Sequence, residues 1–440
     1  MSKTFRAWDV DQAWLLPPSI HEFVPAGHAA HLVRDVVRES LDLSAILSVY
    51  GEERGQPPYH PAMMVALLLY AYSVGIYSSR RIAKACAERV DFMAVTAMQK
   101  PDFRTVSDFR KRHLGALSGL FVQVLRLCRR AGLVKLGHVA LDGTKIKANA
   151  SKHKAMSYGR MVKAEARLEA EIASWFAQAA AADAADDREL GPELRGDEMP
   201  DWVASKEKRL AKIREAKAAL ETEAKEAAEA ERAARAAAPK RPGPKPKPPM
   251  AVPADKAQRN FTDPESGILK TKDGFIQGYN AQAAVDTERQ IIVGHGLTSS
   301  TSDQGQFVPL LDAIETNLGA RPKEASADAG YCSEANLGAA DARGIRPYIA
   351  TGRQKHGHAA AVGARRTGGR VAAMAATLKR AGHRSRYRLR KQTVEPVFGQ
   401  IKQARGFRQF LLRGRDKVEG EWAMICTAHN LAKLCLAQAA

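Results

Sequence analysis

Apolar positions change their period along this chain, and the change marks its parts. Up to about residue 135 they recur at helical spacing. Pro61 suits the first turn of a helix through 63–74, since proline there forfeits no intrahelical hydrogen bond. The longest apolar run, Met63 to Tyr72, has the length of a buried helix and falls short of a membrane span. Ser78 or Ser79 offers an N-cap for SRRIAKACAERV, in which Ile82, Cys86 and Val90 share a face. Thr105 or Ser107 starts a third helix, with Phe109, Leu117, Phe121, Val124 and Cys128 as one stripe before Gly132 ends it. Residues 1–135 therefore read as a helical domain.

Strand-like segments follow. HVAL, 138–141, is a short strand ending at Asp142, and YNAQAAV with QIIVGHGL flank the polar turn Asp286-Thr287-Glu288-Arg289 as a hairpin that starts at Gln277. Ser302 or Asp303 caps a helix carrying Phe307, Leu310, Leu311 and Ile314; EASA is a strand into Asp328, NLGAADA a helix, and RPYIA another strand. Strands alternating with helices after an antiparallel pair predict an α/β unit, a mixed sheet with flanking helices, over 136–154 and 255–440.

Between them, 155–254 is rich in Ala, Glu and Lys. Met161, Leu168 and Trp175 stand seven apart with Ile172 between, and Leu210, Ile213, Leu220 and Ala224 mark a second segment. Two such segments joined by an acidic turn at 186–200 predict an antiparallel helical hairpin, its second seam interrupted by Lys217. PKRPGPKPKPP, 239–249, is an extended linker because repeated prolines forbid helix.

Charge adds a partner class. A net +20 and a pI near 9.8 favour a polyanion through long-range attraction and counterion release, with nucleic acid ahead of an anionic membrane surface. The run from Lys379 to Lys417 holds 13 Lys and Arg against 2 acids, so +11 of the charge sits there. Arg80, Arg81, Arg104, Arg110, Lys111 and Arg112 lie near helix starts, where a helix-turn-helix docks on DNA; a solvated bundle face explains them equally. MSKTFRAWDVDQ has no apolar export segment, which predicts a cytoplasmic protein. The five cysteines are dispersed with no CxxC pair, as in reduced, packed thiols. No HExxH pattern is present, and His429 reads as a core or surface residue of a closing helix with Trp422, Ile425 and Leu431.

Three carboxylates carry the candidate chemistry. Asp142 and Asp328 close short apolar runs, and Glu395 lies in the most basic stretch. An acid gains little from standing alone at a strand end, whereas converging carboxylates can hold two divalent ions that activate a nucleophile and stabilise the leaving oxygen of a phosphodiester. Asp303 reads more simply as a helix cap and Asp286 as a turn residue. Lys402, Arg405, Arg408, Arg413 and Arg415 are candidate phosphate contacts, and Phe407 and Phe410 read as core.

Four segments in order, LDGTKIKANAS around Asp142, GYNAQAAVDTERQIIV, ADAGYCSEANL around Asp328, and the Glu395 segment through RGFRQFLLRGRD, resemble a DDE transposase of a bacterial insertion sequence. The likeness is to the group whose third motif carries tyrosine, arginine, glutamate and lysine. The resemblance implies an RNase H-like core in which the first strand and the strand before Asp328 lie side by side. The insertion would only lengthen a loop, at a cost that grows logarithmically. It also implies Asp142, Asp328 and Glu395 as metal-binding catalytic triad, Mg2+ or Mn2+ as cofactor, and a homodimer or higher oligomer on double-stranded DNA, nucleoid-associated when bound.

The motif is imperfect here. Tyr387 and Arg390 keep their spacing and Lys402 its distance from the glutamate, but Glu395 comes one residue late. Either Lys391, which shares a helical face with Glu395 and Lys402, takes the arginine's place, or the helix starts differently. Pro396 disfavours helix at Glu395, and a start there would remove the argument for Lys391. The implied activity is binding of terminal inverted repeats, hydrolysis at the element's ends, and joining of 3′-hydroxyls to target DNA. A nuclease without strand transfer and a catalytically silent DNA-binding protein are its rivals.

Overall fold

The computed structural model describes residues 19–51, 57–190, 201–237, 248–271, 274–352 and 369–438. The helical region comprises α1 (Ala29–Glu39), α2 (Ser44–Leu47), α3 (Pro61–Ser73), α4 (Ser79–Glu88), α5 (Val90–Thr96), α6 (Phe103–Arg112) and α7 (Leu114–Arg130). Pro61 opens α3, and Met64 to Tyr72 are buried. The expected third helix is two. Asp102 caps α6, its carboxylate accepting from the amides of Arg104 at 2.5 Å and Thr105 at 3.2 Å, so the helix begins before Thr105. His113, with φ −106° and ψ 15°, ends α6 and redirects the chain into α7. Arg110 turns inward, donating to the Tyr72 hydroxyl at 3.1 Å and the Tyr77 carbonyl at 2.9 Å. That guanidinium is committed to packing.

The remaining elements are β1 (His138–Lys147), β2 (Ala155–Ser157), α8 (Tyr158–Leu190), α9 (Asp201–Ala237), β3 (Gln258–Asn260), β4 (Gly267–Thr271), β5 (Gly274–Asp286), β6 (Ile292–Thr298), α10 (Phe307–Leu318), β7 (Glu324–Ala327), α11 (Glu334–Ala342), β8 (Arg346–Ile349), α12 (Arg370–Ala381), α13 (Leu389–Gly399) and α14 (Arg415–Gln438). The main sheet runs β6-β5-β1-β7-β8; β4 shares with β6 the edge of β5 away from β1. β5 is antiparallel to β1 and β6, while β1, β7 and β8 are parallel. With its flanking helices this is the RNase H-like arrangement.

β1 is longer than HVAL suggested. It continues through Asp142 to Lys147 because β5 pairs with it from Val139 to Lys147, whereas β7 pairs only with His138 to Leu141. The sheet before Gln277 also holds more than expected, with β4 and the first residues of β5. From Gln277 to Asp286 β5 is buried throughout, as a strand covered on both faces must be. On β6, Gly294 packs against α10, and His295, pointing to the opposite face, meets Phe121 of α7. Asn430 of α14 closes the end of β6 by bonding both the amide and the carbonyl of Ile292, each at 2.8 Å. One continuous apolar core runs from the helical region through the sheet to α14. Phe407, Phe410 and Trp422 are buried in it, as are Cys86, Cys128, Cys426 and Cys435.

α8 and α9 pack on each other around a separate core of Met161, Leu168, Leu210, Ile213, Ala216 and Leu220. The β2–β3 pair closes the base of this hairpin. Lys217 reaches across to Glu165 at 2.8 Å, so the residue that broke the seam bridges the helices instead. Trp175 stays half-buried and meets Phe176 edge-on, outside that core. Most of the expected acidic turn and of the proline-rich linker falls outside the described residues.

Candidate active site

Parallel pairing of β1 with β7 ends at Leu141 opposite Ala327. The next residue after each paired stretch is therefore an aspartate, Asp142 or Asp328. The two chains part there. Asp142 stays in β1 and accepts its neighbour Gly143's amide at 2.8 Å, while Asp328 turns the chain, accepting from the amide of Gly330 at 2.8 Å.

Glu395 comes from α13, which starts at Leu389 and carries Pro396 in its interior. The proline withholds the amide that Gln392's carbonyl would receive in a helix. The Gln290 side chain supplies it at 3.0 Å. An external donor thus lets the helix pass through Glu395, and Arg390 rather than Lys391 turns into the site. Its guanidinium donates to Asp142 Oδ2 at 2.5 Å and to Glu395 Oε1 at 3.1 Å, and its buried Nε meets no hydrogen-bond partner among the described residues. Its Cζ lies 5.9 Å from the centroid of the Tyr387 ring. Lys391 is exposed.

The electrostatics follow from this crowding. Burial, joined by the charges of Asp328 and Asp303, pushes the Asp142 carboxyl up to about 7 against the pull of Arg390. Asp328 is raised for the same reasons, burial first and then Asp303. Among the described residues, as they stand, no group of three or more Asp, Glu, His or Cys is placed to hold a metal ion. A guanidinium instead bridges two of the carboxylates. The donors are all oxygens, as a hard divalent ion requires, so their chemistry fits such a group.

Lys402 lies in a π-helical turn, Gln400–Ala404, beyond α13. Its ammonium donates to the Thr144 hydroxyl at 2.8 Å and the Lys145 carbonyl at 2.7 Å, pinning the turn to β1 two and three residues past Asp142. Burial lowers its pKa. Lys402 and Arg408 line an open cleft of about 600 Å³ with Lys145, Lys147 and Lys152. Among the described residues no acid lines it, and Phe275, 59 % exposed, stands at its wall. The three lysines on the β1 side escaped the sequence reading because they are scattered outside the dense basic run.

The other predicted cations separate. Arg413 is exposed and donates to the Asn149 carbonyl at 2.8 Å; Arg415 is exposed at the start of α14, its amide bound by Glu265 at 2.6 Å. Arg405 points away from the carboxylates, donating to the Ser73 carbonyl at 3.0 Å and facing His429 Nδ1 at 3.1 Å. It joins α3 to α14.

Asp303 is the residue whose surroundings the sequence concealed. It precedes α10 across a short 3-10 turn and makes no side-chain cap. Its Oδ1 instead accepts from Asn280 Nδ2 at 2.6 Å and Gln282 Nε2 at 2.8 Å. A Cβ on Gly143 would stand 2.8 Å from Oδ1, and one on Gly330 3.1 Å from Oδ2. Glycine beside each aspartate leaves room for this third one.

Two family models match the chain. One, a transposase domain (DUF772), spans residues 18–112, and the other, a transposase DDE domain, spans 252–431. No curated protein and no solved structure matches it. Fold and site define an RNase H-like nucleic-acid enzyme. The chain belongs to the DDE-type transposases of insertion sequences, enzymes that bind DNA and whose family typically uses a divalent metal. Among the described residues no helix is long and apolar enough to cross a membrane.

Proposed function

We propose that Asp142, Asp328 and Glu395 are the metal-holding catalytic carboxylates of a transposase that binds its element's terminal inverted repeats, hydrolyses phosphodiesters at the ends, and joins the freed 3′-hydroxyls to target DNA. The observation that carries the reading is the shared guanidinium of Arg390, which bonds Asp142 and Glu395 although 253 positions separate them in sequence. Asp328 directly follows the adjoining parallel strand.

Mg2+ or Mn2+, held by these carboxylates, would supply Lewis-acid stabilisation of the attacking and leaving oxygens. The protein's own part is positional. Lys402, fixed to β1 by two hydrogen bonds, presents positive charge beside Asp142, and the cleft with Lys145, Lys147, Lys152 and Arg408 gives a phosphate backbone its track. Phe275 offers a base an apolar face in that track. Arg390 pairs with Asp142 and Glu395 in the metal-free chain and would have to release Asp142 for that carboxylate to hold a divalent ion. Arg413 and Arg415 extend the contact. Two DNA ends require at least two subunits.

The test is a joining assay with the chain, Mg2+ and pre-cleaved duplex ends carrying 3′-hydroxyls, taken from the inverted repeats that flank the gene. Insertion into a plasmid, lost in Asp142→Asn, Asp328→Asn and Glu395→Gln, is the expected result. Cleavage without insertion would leave a nuclease. Neither reaction in any divalent ion would leave a silent DNA-binding protein.

A further inference from the structure

The carboxylate of Asp303 is held where a helix cap would not hold it. Asn280 and Gln282 lie on β5, 1 % and 0 % exposed, and both amides converge on the single oxygen Oδ1. The Tyr331 hydroxyl, three residues beyond Asp328, donates to Gln282 Oε1 and so fixes which way the Gln282 amide points. Buried amides need partners, and here three side chains from two motifs use theirs to orient one acid. The other oxygen, Oδ2, accepts no hydrogen bond among the described residues and lies toward Gly330 and Asp328. Gly143 and Gly330 keep the approach open, since a side chain at either would press on the carboxylate.

Among the described residues the Arg390 guanidinium bonds two of the acids, Asp142 and Glu395, while Asp303 lies beside Gly143 and Gly330 on the side of Asp142 and Asp328. An acid whose one oxygen is fixed by two amides and whose other is left bare is preorganised as a ligand. We propose that Asp303 is a fourth metal-binding carboxylate of this centre, its Oδ2 completing with Asp142 and Asp328 the oxygen set around a divalent ion. Asn280, Gln282 and Tyr331 are its positioning residues. The inference rests on the proposed metal-holding role of Asp142 and Asp328, and it gives the YNAQ and DAGY segments a chemical purpose.

Asp303→Asn tests it with little disturbance, because the asparagine oxygen still accepts from both amides while an NH2 replaces the bare oxygen. Mn2+ binding to the full chain is measured by calorimetry, and water-proton relaxation reports how many waters the bound ion retains. Asp303→Asn should weaken Mn2+ binding about tenfold or more and add a water to the ion, with an unchanged melting profile in EDTA. Tyr331→Phe, which keeps shape but frees Gln282, should lose an intermediate amount. If wild type binds Mn2+ in a manner lost in Asp142→Asn, yet Asp303→Asn and Tyr331→Phe match wild type in affinity and hydration, the inference is overturned and the metal reading stands. If wild type binds no Mn2+, both fall.

Discussion

Removing a catalytic carboxylate should make the metal-free protein more stable. Asp142 carries a carboxyl lifted from its ordinary 3.8 to about 7, chiefly by burial and then by Asp328 and Asp303. Its folded-state pKa lies above the unfolded one, so the fold prefers the protonated form. The penalty is absent below about pH 4, grows between 4 and 7, and is full above 7, where it amounts to roughly 4 kcal/mol. Asparagine never ionises, and its one oxygen can still accept from Arg390, while the Gly143 amide, which bonds the other carboxylate oxygen, loses its acceptor. Part of the gain is lost because the guanidinium keeps only Glu395 as a charged partner, leaving a net of about 1–3 kcal/mol. Differential scanning fluorimetry in EDTA should show Asp142→Asn melting a few degrees above wild type near pH 8, with the gap closing toward pH 4. Added Mg2+ should raise wild type and leave the variant unmoved. A variant that melts at or below wild type near pH 8 in EDTA would refute the argument, since Arg390 would then more than offset the burial of Asp142.

Loss of single cations should divide them by role. Lys402→Ala, Lys145→Ala and Lys147→Ala should each weaken DNA binding at low salt and reduce the salt dependence by about one unit of slope, read from fluorescence anisotropy titrations. Arg405→Ala should leave that slope alone and destabilise the chain by about 1–3 kcal/mol in urea unfolding, because the Ser73 carbonyl loses a charged donor. Glu421→Ala should cost a similar roughly 2–4 kcal/mol, since this buried carboxylate accepts the amides of Leu411 and Leu412 that anchor the basic loop. Replacing residues 160–235 by a short Gly/Ser linker should leave the thermal transition of the sheet in place, because α8 and α9 close on their own core; loss of all cooperative melting would contradict this.

Much of this architecture is written locally. Period-two stretches such as EASA and helical stripes such as Phe307, Leu310, Leu311 and Ile314 specify elements whose neighbours merely confirm them. The failures occur where a distant group decides. β1 extends past Asp142 because β5 pairs with it, and α13 survives Pro396 because Gln290, 102 positions away, feeds the orphaned carbonyl. The one-residue offset of Glu395 left Arg390 and Lys391 open as alternatives until the helix start was known. Asp303 looked like a cap since a sequence shows Asp before a helix but not the two amides that claim it. Their signal was present in YNAQ, an Asn and a Gln at period two inside an otherwise buried strand. Two buried amides on one strand face call for a shared polar partner.

Manganese anomalous scattering from crystals of the chain soaked in Mn2+ tests the central claim most directly. The account predicts a peak between Asp142 and Asp328, with the Arg390 guanidinium withdrawn from Asp142. Saturating Mn2+ with no peak there, and Arg390 still bridging Asp142 and Glu395, would contradict it.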